Sequence, residues 1–306
     1  MTDIILLDGG MGQELVHRAA NPTTALWSAQ VMIDEPHVVE AAHRAYVEAG
    51  ASVITLNSYS ATPERLARAG LGERFEELQE QAIALATAVR AEAATNVAIA
   101  GCLPPLVSSY HPENAPDEPE MRENYARIAA LQAPAVDVML GETLSSVREV
   151  AAATSAMSAA AASSDGGGKP VWTAMSVSDA DGTLLRSGEP VSEGVAAARE
   201  NGATALLLNC SRPEAIEQGL APLVESGLPW GAYANAFVRA ADLETGGTVE
   251  HLGTRDDLSP DVYAERAMAW VERGATIVGG CCEIGPDHIR ALRERLEAAG
   301  HVVVAP

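Results

Sequence analysis

Eight times along this chain a short run rich in Val, Ile, Leu and Ala precedes an amphipathic stretch, and that alternation limits the fold more than anything else. The runs are IILLD (4–8), SVITLN (52–57), VAIAG (97–101) and VDVMLGE (136–142), then VWTAMSV (171–177), ALLLNC (205–210), PWGAYAN (229–235) and TIVGGC (276–281). Near-continuous apolar strands belong to parallel sheets, which are buried on both faces. Between the runs lie stretches such as PHVVEAAHRAYVEAG and SPDVYAERAMAWVERG, several ending in Gly where a helix C-cap belongs. Eight β-α units predict an α/β fold, a single (β/α)8 TIM barrel over residues 1–306 as one domain; such barrels commonly reach this size. No G-x-G-x-x-G follows the first run, so an open dinucleotide-binding sheet is the weaker expectation. The Pro-, Gly- and acid-rich segments 104–119 and 236–258 suit loops over the barrel mouth, and 151–170 ends in a Ser/Gly-rich surface connection.

Charge narrows the possible partners. With 42 acidic and 20 basic residues the formal charge is −22, a field that repels phosphate backbones and anionic headgroups. No nucleic acid and no membrane is therefore expected as a partner; small-molecule substrates are. MTDIILLDGG lacks the basic start and long apolar stretch of a signal peptide, and no run approaches the roughly eighteen apolar residues of a membrane span. A cytoplasmic setting follows, in which the four cysteines are expected as reduced thiols.

In a barrel of this kind chemistry sits at the C-terminal ends of the strands. Reading those ends in order gives Asp8, Asn57, Cys102, Glu142, Ser176, Cys210, Asn235 and the pair Cys281–Cys282. One polar residue at a strand end means little, because strand ends meet polar loops; the shared level of all of them is the signal. The adjacent cysteines have three readings: buried small hydrophobes, a vicinal disulfide, or two thiolates converging on one metal. Cys210 ends the sixth run and Cys281 and Cys282 end the eighth, so all three can face one mouth. Three protein ligands with a fourth position open is the pattern of catalytic zinc, and thiolates favour Zn²⁺ over magnesium or calcium. Gly279 and Gly280 permit the sharp bend and close approach this requires. Spacing alone is equally compatible with buried core cysteines.

Several of these segments resemble one family, the zinc-dependent homocysteine S-methyltransferases. LLDGGMGQEL is similar to that family's opening D-G-G-x-G-x-E-L, and HRAYVEAGASVITLNSYSAT to its helix-strand segment. GETLSSVREV resembles its E-T element, LLLNCS its N-C-S element, and GGCCEIGPDHI its G-G-C-C signature. They run from residue 6 to 289 in the family's order, nearly the whole chain. The resemblance implies a (β/α)8 barrel, zinc on Cys210, Cys281 and Cys282, and homocysteine as methyl acceptor. Cys102 stands where the family often has Ser, which implies a thiol that is not a ligand. YANAFVRAADLETGG after the seventh run and GCLPPLVSSYHP after the third depart from the family's usual residues, beside the expected methyl donor.

The implied chemistry agrees with the residues. Only a thiolate is a good sulfur nucleophile, and metal coordination deprotonates a thiol at neutral pH. A thiolate-rich, negative centre attracts a cationic donor, so S-methylmethionine or S-adenosylmethionine is the first expectation, and betaine or another onium compound the second. Asp8 and Glu142 are suited to the amino group of homocysteine. Asn57 and Asn235 either bind substrate or tie down turns. Gln13 and Ser211 read as local capping residues, and His43, His288, Met11 and Trp172 as packing or loop residues. A reading from another class is a thiol-redox or metal-binding protein using Cys281 and Cys282, which leaves Asp8 and Glu142 without a task.

Overall fold

All eight runs contain a strand in a computed structural model of the chain, which describes residues 2–22, 24–163, 168–238, 240, 243 and 252–306. They are β1 (Asp3–Leu6), β2 (Val53–Thr55), β3 (Ala98–Ala100), β4 (Met139–Leu144), β5 (Val171–Met175), β6 (Ala205–Asn209), β7 (Trp230–Tyr233) and β8 (Ile277–Val278). A ninth, β9 (Val302–Val303), follows the last helix and is too short to carry a periodic signal. All pairings between strands are parallel.

The strands fall into two sheets where one eight-stranded barrel was expected. β4-β5-β6-β7-β8-β1-β9 form the larger, and β2-β3 the smaller. The cause is local. β2 and β3 have three residues each and meet the larger sheet only through isolated parallel bridges, Leu7 with Val53 and Ala100 with Val138. β9 pairs with Asp3 and Ile4, at the start of β1, while the Val53 bridge lies beyond its end. The secure description is an α/β fold with a mostly parallel central sheet.

Side-chain alternation along the strands builds two apolar layers. Leu207 joins Val53, Val138, Trp172, Tyr233 and Ile277 in an inner cluster drawn from most of the strands. Its neighbours Leu206 and Leu208 point the other way, into the layer shared with the helices. The helix Pro260–Glu272 shows how that outer layer is anchored. Ser259 caps its N-terminus by accepting from the Val262 N–H, Pro260 fills the first turn, and Tyr263, Ala267, Trp270 and Val271 share its buried face. The Tyr263 hydroxyl then donates to Gly279 O at 2.6 Å and accepts from Ala234 N at 3.1 Å, so the helix clamps the ends of β7 and β8. The helix Val147–Ala162 precedes the Ser/Gly-rich connection, of which 164–167 lie outside the described residues, as do 239, 241, 242 and 244–251 of the expected mouth loop 236–258.

Candidate active site

β6 and β8 deliver three sulfurs to one point. Cys210, Cys281 and Cys282 have their Sγ atoms within 4.8 Å of one another. Cys282 Sγ lies 3.7 Å from Cys210 Sγ, and the Tyr110 hydroxyl lies 3.1 Å from the latter. The structure joins Cys210 and Cys281 as a disulfide, with Cα atoms 5.4 Å apart. That departs from the expectation of four reduced thiols, and of the three readings of the adjacent cysteines it leaves aside the vicinal disulfide, since the pairing runs between strands. Three sulfurs converging from two strand ends bring this pair within bonding distance. Burial pushes the Cys282 thiol up to about 12, with the Glu283 carboxylate adding to the shift, so a thiolate there calls for a cation.

The backbone around the sulfurs is tightly packed and strained. A Cβ on Gly10 would strike the Cys281 carbonyl, and one on Gly280 would strike Ile284. Close approach explains Gly280, as expected; neither glycine has a left-handed φ. Five non-glycine residues do among the described ones: Trp27 (48°), Tyr110 (66°), Thr143 (59°), Cys210 (46°) and Glu283 (66°). Each such residue costs on the order of 1–3 kcal/mol and persists only where its surroundings impose it. Every one lies at this site or next to a site residue. Asn209 accounts for one of them: its Oδ1 accepts from Thr143 N at 2.9 Å and its Nδ2 donates to Thr143 Oγ1 at 3.0 Å. The side chain before Cys210 thereby fixes the residue after Glu142.

The two carboxylates share the cavity with the sulfurs. Asp8 accepts from Thr55 N at 2.8 Å and from Thr55 Oγ1 at 3.1 Å. Burial nevertheless raises it to about 7, helped by the charge of Glu142. Glu142 lies inside β4, not at its end as expected, because that strand runs on to Leu144 past an irregularity in its pairing with β5. Its Oε1 accepts from Cys102 Sγ at 2.9 Å, and burial raises it to about 7 as well. Cys102 is thus a partner of Glu142 and lies outside the sulfur cluster.

The remaining sequence candidates separate cleanly. Asn57 lines the cavity and donates to Ser28 O at 3.2 Å. Asn235 Nδ2 stands 3.9 Å from Cys210 Sγ. Gln13 is no capping residue: it accepts from Trp27 Nε1 at 3.1 Å and hydrogen-bonds the Glu283 carboxylate, linking the cavity wall to the residue after Cys282. Ser211 accepts from Val177 N at 2.9 Å, a structural tie. His43 is buried without a hydrogen-bond partner for either ring nitrogen, and burial lowers it to about 4. His288 bonds Gly285 N and lies 3.1 Å from Leu258 O, and Trp172 belongs to the inner cluster. Met11 lines the cavity. Sequence reasoning missed the aromatic wall, Trp27, Tyr59 and Tyr110, and with it Arg65. Tyr59 lies inside the NSYSAT segment, where a strand-end argument reads only the residue that closes the strand.

Comparison with known proteins agrees with this geometry. The profile of the family described as homocysteine S-methyltransferase matches residues 5–296. The homocysteine S-methyltransferase of Escherichia coli is 29% identical over 310 residues, covering 96% of this chain and 95% of its own. Crystal structures of the homocysteine methyltransferase MmuM from Escherichia coli superpose on 96% of this chain and 96% of theirs. The metallated form is 26% identical with a TM-score of 0.79, the oxidized form 27% with 0.77. The chain belongs to the homocysteine S-methyltransferase family, and its reaction is methyl transfer to the sulfur of homocysteine, which gives methionine.

Proposed function

We propose that the chain takes the methyl group from a sulfonium, S-methylmethionine or S-adenosylmethionine, and that Cys210, Cys281 and Cys282 hold the Zn²⁺ this requires. The sulfur spacing carries the proposal. A tetrahedral site with Zn–S bonds of about 2.3 Å sets its sulfurs about 3.8 Å apart. The 3.7 Å between Cys210 and Cys282 fits, and the three-thiolate set is one that zinc favours. Opening the Cys210–Cys281 disulfide is a precondition, and a cytoplasmic setting, with its thiol reductants, supplies it. When bound, the ion lowers the pKa of the acceptor thiol.

The chain's own residues do the positioning. Asp8 and Glu142 accept hydrogen bonds from the amino group of homocysteine, which aims its sulfur at the cluster. Thr55 fixes the rotamer of Asp8, and Cys102 that of Glu142. Asn235 orients Cys210, and Asn57 holds the Ser28 turn against the cavity. The aromatic rings of Trp27, Tyr59 and Tyr110 line the cavity, and such rings attract cations, as Arg65 over Tyr59 and Arg186 over Tyr110 already do here, which supports an onium donor. The methyl carbon's bond to the donor sulfur breaks as its bond to the acceptor sulfur forms, and a neutral thioether leaves. A sulfonium needs no prior activation, so alignment is the main task left to the protein. Betaine, whose leaving amine is poorer, is the second donor.

Closure of the strands into a single-domain (β/α)8 barrel is part of this reading. The inner cluster drawn from β2 through β8, with Leu7 just past β1, supports it, as do the Leu7–Val53 and Ala100–Val138 bridges. Turnover of homocysteine by the reduced, zinc-replete enzyme with each onium donor, without cobalamin, tests the assignment. Methionine is expected with S-methylmethionine or S-adenosylmethionine. Reaction with methyltetrahydrofolate alone, and with no sulfonium, overturns it.

A further inference from the structure

The cavity wall contains a cation, which is paradoxical in a site read as taking a cationic donor. Arg65 lines the same cavity as the sulfurs and the two carboxylates. Thr62 caps the short helix Pro63–Arg68 by accepting from Arg65 N, which fixes where this side chain starts. Its guanidinium lies over the Tyr59 ring, 5.3 Å from the centroid. Nη2 donates to Pro105 O at 3.0 Å and to Ser109 Oγ at 3.4 Å, while Nε is buried with no partner. These contacts are all neutral. The adjacent acid, Glu64, accepts instead from Asn124 Nδ2 at 2.8 Å, and no described carboxylate pairs with Arg65. A buried guanidinium left without a carboxylate is costly, and its planar fork is the group best shaped to take one.

Tyr59 connects this charge to the donor subsite. Its ring meets Trp27 edge-on at 6.0 Å, and its hydroxyl lies 2.9 Å from Ser109 Oγ, which Arg65 also reaches. An onium held by the aromatic wall would therefore lie near a second positive charge. A donor that carries its own carboxylate turns that repulsion into an ion pair; a donor without one does not. We propose that Arg65 is a specificity-determining residue that binds the carboxylate of the methyl donor. It restricts the site to molecules carrying an onium and a carboxylate together. This rests on the onium-donor reading above.

The test is calorimetric binding of S-methylmethionine and of its carboxamide, which differ only in the carboxylate, to reduced, zinc-replete enzyme. The wild type should bind the acid about ten- to a hundredfold more tightly than the amide, the range for a hydrogen bond to a charged group. In Arg65→Gln that ratio should fall to near one, and Arg65→Lys should recover part of it. Equal binding of acid and amide by the wild type overturns the proposal, without recourse to any variant. So does equal weakening of both in Arg65→Gln, or a loss that falls on homocysteine instead. Binding is read without turnover, so failure to form methionine from any onium would remove the donor assignment while the acid-to-amide ratio still judges Arg65.

Discussion

The inner apolar cluster and the mouth above it are built from the same strands but to opposite specifications. In the cluster, Val53, Leu207 and Ile277 are at most 1% exposed and occupy ordinary strand backbone. A few residues further along the same strands and just past them lie thiols, carboxylates raised to about 7 and residues with left-handed φ. The lower layer contributes stability, and the upper layer consumes part of it to hold charged and strained groups in place. Stability and activity are therefore expected to separate by layer, and substitutions in each should move one quantity far more than the other.

The sharpest separation comes from the sulfurs. Replacing Cys210, Cys281 or Cys282 singly by Ala should abolish methionine formation while the thermal midpoint of the reduced, metal-free protein changes little. Loss of fold in all three would erase the distinction between layers. The converse substitution is Leu207→Ala. Truncating a fully buried Leu costs about 2–5 kcal/mol. The midpoint should drop by several degrees, with kcat per folded molecule nearly retained below the transition; a matching fall in kcat would mean that the lower layer positions the site.

Glu142→Gln should weaken homocysteine about ten- to a hundredfold, the value of a charge-assisted hydrogen bond. 4-Mercaptobutyrate, which lacks the amino group, should be nearly indifferent to the change. Equal losses would assign Glu142 to the fold or the sulfurs. The preference for homocysteine over 4-mercaptobutyrate should also rise as pH rises through about 7, because Asp8 and Glu142 ionise there in the folded chain. Stability runs the other way. Both carboxyls hold protons more tightly folded than unfolded, where their ordinary values are 3.8 and 4.5. Their contribution is full below about pH 4 and is lost as pH rises through about 7. Glu142→Gln should accordingly raise the midpoint at pH 8 more than at pH 5, and a midpoint gain independent of pH would contradict the buried-charge account. The smallest effect is expected from Cys102→Ala, with unaltered zinc content and a modest loss of homocysteine affinity through Glu142.

Most of the lower layer was legible in the sequence because burial on both faces leaves an unbroken apolar run, which eight segments show. The sheet pairing was less so: three-residue strands such as β2 and β3 carry the apolar signal but too few ladder positions to reveal how they join their neighbours. At the mouth, the three cysteines and Asp8 could be found by counting to strand ends. Glu142 was found by the same count, although β4 continues past it. Arg65 sits in the six-residue helix Pro63–Arg68 and Tyr110 in a loop, both too short or irregular for periodicity to say which way a side chain points, and Asn209 reads as one more strand residue until Thr143 is seen beside it. The Cys210–Cys281 bond could not be read at all, since 71 residues separate the partners and only the fold brings them together.

In the proposed function the three sulfurs form a metal site on which methyl transfer depends. The direct measurement is zinc per chain, by elemental analysis after reduction and dialysis, for the wild type and for the Cys281→Ala/Cys282→Ala double variant, with methionine formation assayed on the same samples. The wild type should carry about one zinc, the number expected for one three-cysteine site, and should form methionine. The double variant should retain almost no metal and form none. Full zinc occupancy in the double variant, or methionine formation by a wild type stripped of metal, would contradict the account.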